Sequence, residues 1–157
     1  AARAFVAARG GALSRRTRES IASEALGILS DPVYAPIFAT GSRAEVAIVA
    51  EIPRPFGSGP ALRLNGQIDR LAVTDHEVLI VDYKTNRTPP ATVEDVADAY
   101  LFQLAAYRLA LCRIFPRKTV RAALLWTDGP RLMDIPSSVL DGKERQLWTL
   151  DPGRLEG

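Results

Sequence analysis

The chain has 157 residues, a formal net charge of +2, and 47% apolar against 24% charged residues, which is ordinary for one globular domain with its own core. Its pI of about 8.9 is too mildly basic to imply nucleic acid by itself. A lone cysteine, Cys112, excludes a disulfide framework and a cysteine-built zinc site, and reads as a small buried apolar residue.

Residues 1–13 are rich in Ala and Gly, have no evident packing partner, and read as the tail of something longer. They hold no apolar core of signal-peptide type, and no later run approaches the length of a bilayer span. The expectation is an intracellular, cytoplasmic protein. Ser14 to Leu29 repeats Ile21, Ala22, Ala25, Leu26 and Leu29 at helical spacing, which predicts an amphipathic helix stopped by Asp31-Pro32. A connector, Pro32 to Ser42, leads to the alternating strand Arg43 to Ile52. Pro53 to Pro60 is a turn, and Ala61 to Thr85 a β-hairpin. Asn86 to Thr92 is an irregular exit. From Thr92, a near capping box with Asp95 predicts a helix to Ile114, its apolar face running from Val96, Ala97, Tyr100, Leu101 and Leu104 to Leu111 and Phe115. Val120 to Thr127 is a strand, Asp128-Gly129-Pro130 a turn, Arg131 to Ile135 a returning strand, and Ser137 to Leu150 carries a last short helix; Asp151 to Gly157 reads as a frayed tail. This order predicts a mixed central sheet flanked by helices, an α/β (α+β) fold.

The hairpin carries the chemistry. With its turn at Asp75-His76, Thr74 faces Glu77, Leu71 faces Ile80, and Asp69 faces Asp82. Opposed Cβ atoms lie about 4.5–5.5 Å apart, so two carboxylates meet among apolar residues. A divalent cation would offset their repulsion, and two hard oxygen donors suit Mg2+ or Mn2+ rather than zinc. Lys84 follows Asp82 by two residues and leaves the same face. An Asp at a strand end usually caps a turn and a Lys is usually solvated. Here, however, Asp82 ends the apolar run Val78-Leu79-Ile80-Val81, where a lone charge is expensive. Gln103 and Tyr107 stand one above the other on the long helix.

Together Gly66-x-x-Asp69-Arg70, Asp82-Tyr83-Lys84-Thr85 and Gln103-x-x-x-Tyr107 resemble the RecB-type branch of the PD-(D/E)XK nucleases over Ser14 to Ile135. The wording is most similar to the C-terminal nuclease domain of AddA helicase–nuclease subunits. The resemblance implies a restriction-endonuclease-like core and a metal-dependent DNA exonuclease of double-strand break repair. It implies a single nuclease domain over 1–157 within a longer chain that carries a helicase, with an AddB-type second subunit and no membrane. Asp69, Asp82 and the Tyr83 carbonyl would bind Mg2+ or Mn2+. Lys84 would position or activate the attacking water, and Gln103 and Tyr107 would orient the lysine, the water or the DNA backbone. RecB-type nucleases also use a first-helix histidine; the single histidine here, His76, falls in the turn, so that ligand is expected upstream. No phosphate-binding Gly-rich loop of NTPase type is present. The competing reading is a non-catalytic DNA-binding or subunit-assembly module that retains the fold.

Overall fold

The structure is a computed structural model that describes residues 2–56, 59–85, 88–127 and 130–149. In chain order it holds α1 (Ala2–Arg9), α2 (Arg15–Ser30), a 3-10 segment (Pro32–Phe38), β1 (Arg43–Ile52), β2 (Leu62–Val73), β3 (Glu77–Lys84), a single 3-10 turn (Val93–Asp95), α3 (Asp98–Ile114), β4 (Thr119–Trp126), β5 (Arg131–Ile135) and α4 (Ser137–Leu147). The strands form one sheet in the order β1-β2-β3-β4-β5. β1, β2 and β3 run antiparallel in succession, and β4 and β5 are antiparallel. β3 and β4 are parallel, with α3 as the crossover between them. This is the expected mixed sheet.

Each face of the sheet carries a core. Leu101, Leu104 and Leu111 of α3 and Leu140 of α4 pack on Ile48, Ile68, Ile80, Leu124 and Trp126. Ile28 of α2 and Tyr34 and Ile37 of the 3-10 segment pack on Ala72, Leu79, Val81, Ala123 and Leu125. β3 and β4 are thus buried on both sides, which is why VLIV and AALLW read as unbroken apolar runs. Each fully buried Leu or Ile contributes about 1.5–3 kcal/mol.

Several expectations need correcting. α1 is a helix that packs against α2, not a tail without a partner. α2 begins where expected, with Ser14 Oγ accepting from Thr17 N at 3.1 Å. Its buried side, however, is Ala22 and Ile28, while Ile21, Leu26 and Leu29 are exposed. The long helix starts at Asp98 rather than Thr92. Thr92 Oγ1 donates to the Asp95 carboxylate at 3.0 Å instead of capping a backbone N–H, and Val96 and Ala97 are extended, so the first turn stops as 3-10. Ala97 is consequently exposed. Cys112 is exposed as well, because Leu111 takes the inward position of that turn and the next residue is rotated away by about 100°. Asp128-Gly129 and the tail Asp151 to Gly157 lie outside the described residues.

Candidate active site

The hairpin register is the one read from the turn. Thr74 N donates to Glu77 O at 2.8 Å, and Leu71 faces Ile80. Ladder pairing between β2 and β3 reaches Arg70–Val81 and stops there. At the next position Asp69 Oδ2 accepts the Tyr83 N–H at 2.7 Å. The carboxylate therefore takes the place of the missing ladder partner, and Asp69 is tied directly to the strand that carries Asp82.

A local irregularity aims Asp69. Leu62, Leu64 and Ile68 face the α3 side, but so do Leu71 and Val73, so the alternation of β2 slips by one residue in between. On the other flank the β1–β2 ladder skips the Glu45–Asp69 pair, and Glu45 adopts φ 54°. A non-glycine residue in this left-handed region carries strain of about 1–2 kcal/mol. Sheet irregularities of this kind re-aim side chains beside functional sites. The Glu45 carboxylate accepts from Gln67 Nε2 at 2.5 Å.

Asp82 sits at the end of β3, 4% exposed. Lys84 Nζ lies 2.5 Å from its Oδ2. Among the described residues Oδ2 is met by this ammonium and accepts no other hydrogen bond. Burial pushes the Asp82 carboxyl above its ordinary value; Lys84 pulls it back down, and the charge of Asp69 adds to the rise. Lys84 leaves the same face, as the two-residue spacing requires.

The lysine is held from α3. Its Nζ donates to Gln103 Oε1 at 3.4 Å and lies 3.8 Å from the centroid of the Tyr100 ring. Gln103 Nε2 donates to Tyr107 Oη at 3.3 Å, and Tyr107 Oη donates to the Gln67 carbonyl at 3.1 Å. Tyr107 is buried directly above Gly66, where a Cβ would stand 2.6 Å from the phenolic oxygen. A continuous chain thus runs from the β2 backbone through Tyr107 and Gln103 to Lys84 and Asp82. Behind the sheet, Arg70 Nε donates to Tyr83 Oη at 3.2 Å, and its guanidinium covers Phe38. That clasp fixes β2 to β3 from the opposite face.

The expected side chains of Asp69, Asp82, Lys84, Gln103 and Tyr107 gather at this point; Tyr83, expected to offer its carbonyl, turns its ring to the other face while its backbone N–H meets Asp69. Sequence reasoning missed the contribution of Tyr100, although helical spacing from Gln103 puts it on the same face. It also missed Glu45, for which an alternating strand gives no signal. His76 is exposed in the turn, at the opposite end of the hairpin from Asp82.

The donor set fits a hard divalent cation in part. Asp82 offers a buried carboxylate whose Oδ2 is met by the Lys84 ammonium, and Asp69 lies beside it. No group of three or more His, Cys, Asp or Glu side chains that could hold a metal occurs among the described residues. Two carboxylates supplemented by backbone and water oxygens are the composition magnesium accepts and zinc does not favour.

Comparison with known proteins agrees with the fold. No curated protein matches the chain. Among solved structures, one titled "Crystal structure of SSO0001" aligns with a TM-score of 0.42 and 13% identity over 88% of this chain and 71% of that one, a likeness that carries no argument. The family model described as "PD-(D/E)XK nuclease superfamily" matches residues 5–147. That span takes in the mixed five-stranded sheet, its flanking helices and the Asp82-Tyr83-Lys84 strand end, and the chain belongs to the PD-(D/E)XK nuclease superfamily.

Proposed function

We propose that this domain hydrolyses phosphodiester bonds of DNA, with Asp69 and Asp82 as ligands of Mg2+ or Mn2+ and Lys84 as the group that assists the attacking water. One observation carries the reading. Lys84 is clamped between the buried Asp82 carboxylate and the Gln103–Tyr107 chain, although a surface lysine would have water to itself.

The mechanism follows from the residue types. Asp82 and Asp69 would hold the cation, with the Tyr83 carbonyl as a further oxygen donor. When bound, the cation polarises the phosphate and lowers the pKa of water. Lys84 presents a compact positive charge where negative charge develops on the phosphate. Gln103 and Tyr107 fix the direction of the ammonium, so that little reorganisation is needed during reaction. Tyr100 covers one side of the ammonium and restricts its hydration.

The RecB-like motif order favours the finer assignment. It describes a DNA exonuclease of double-strand break repair, set in a longer AddA-type chain with a helicase part and working with an AddB-type second subunit. A non-catalytic module of the same fold is the second reading, favoured by the two-carboxylate donor set. End-labelled linear and circular DNA, incubated with magnesium, manganese, zinc or EDTA, discriminates them. Magnesium- or manganese-dependent loss of linear DNA, absent in EDTA and in Asp82→Ala, is the expected result. Binding without any metal-dependent cleavage would favour the non-catalytic module.

A further inference from the structure

The turn after β1, the last turns of α3 and α4 with the following Trp148 line an open groove of about 580 Å³ that no residue of the Asp69–Lys84 site lines. Arg54, Arg113 and Arg145 line it together with Phe56 and Trp148. Phe56 is 89% exposed, an unusual position for a phenylalanine. The Arg54 guanidinium stands 5.9 Å from the centroid of the Trp148 ring. An Arg113 amine donates to the Pro53 carbonyl at 3.5 Å, which ties the turn to α3.

Two carboxylates also line the groove, Asp141 and Glu144. Both face Arg108, at 2.5 and 3.4 Å, which offsets one of their two charges at the α3–α4 junction and leaves three lining arginines against them. The lining is therefore net positive and aromatic. α3 connects it to the catalytic cluster: Arg113 lies six residues beyond Tyr107, about 9 Å along the helix.

Aromatic faces interleaved with arginines suit one class of ligand. Unpaired bases stack on the rings while guanidinium groups meet the phosphates. A duplex keeps its base faces covered and cannot use the rings. We propose that this groove binds a single strand of nucleic acid whose continuation reaches the Lys84 site, a proposal that rests on the nuclease reading for the source of that strand. Phe56 and Trp148 stack bases, and Arg54, Arg113 and Arg145 follow the backbone.

Fluorescence anisotropy with a labelled oligothymidylate, in EDTA so that no cleavage occurs, tests this. The parent is expected to bind with a steep salt dependence. Phe56→Ala should weaken binding at least about fivefold, the smaller end for loss of one stacked base. Arg113→Gln should weaken it and lower the slope of log affinity against log salt by about 0.7. Both positions are exposed, and circular dichroism confirms the fold of each variant. A parent that does not bind, or variants that match it in affinity and salt slope, would overturn the proposal. So would variants that lose duplex binding while single-strand binding is kept. Cleavage is read separately with magnesium. A parent that binds through Phe56 and Arg113 yet hydrolyses no DNA upholds the groove and removes the nuclease reading.

Discussion

Gly66 has no room for a side chain, because the Tyr107 phenol occupies that space. Gly66→Ala is expected to destabilise the fold by about 1–3 kcal/mol, the range for overpacking a filled site, and to slow cleavage by displacing Tyr107. Urea denaturation and a cleavage assay check the two effects. Tyr107→Phe keeps the ring and removes the hydroxyl bonded to Gln67 and Gln103. About 0.5–1.5 kcal/mol of stability should be lost with that hydrogen bonding, while the turnover number falls more than substrate affinity. Glu45 gives a less intuitive expectation. Valine is a better strand former than glutamate, yet at φ 54° a β-branched residue is strained. Glu45→Val should lower stability by about 1–2 kcal/mol; a melting temperature at or above that of the parent would show that the strand relaxes there without cost.

At the scale of elements, the hairpin was the most legible part of the sequence. Its short polar turn and its β-branched flanks fixed the register, and with it the convergence of Asp69 and Asp82 toward α3. The slip in β2 was not legible. It depends on Glu45 and Asp69 leaving the ladder together, a long-range event between two strands that each look regular. The start of α3 was missed because Thr92 and Asp95 satisfy one another rather than the backbone. Composition gave no hint that α4 is fastened to α3 through Arg108, whose guanidinium reaches the Ser137 carbonyl, Asp141 and Glu144. Arg108→Ala leaves Glu144 half-buried beside a lost partner and should cost about 1–3 kcal/mol, as for a desolvated polar group left without its partner. Burial already holds the Glu144 carboxyl above its ordinary value. Hydrogen exchange should show α4 opening first; uniform protection across α3 and α4 would contradict the fastening.

For the whole molecule, the two cores pack β3 and β4 from both sides, and the Asp69–Asp82–Lys84 cluster stands at the end of that centre. Pro90 and Ala91, beyond β3, are held from β5: Arg131 donates to their carbonyls at 2.8 and 2.7 Å. The fold thus delivers a buried carboxylate and a lysine to the end of the central strand, directly after its apolar run Val78–Val81. The rate of magnesium-dependent hydrolysis of linear DNA by Lys84→Ala, set against the parent, tests this most directly. Lys84 ends its strand and contributes charge more than packing, so the variant should keep its fold. Its rate should fall about 100- to 1000-fold, as on loss of one transition-state donor. A folded Lys84→Ala protein that degrades DNA at the parental rate would contradict the assignment of this site.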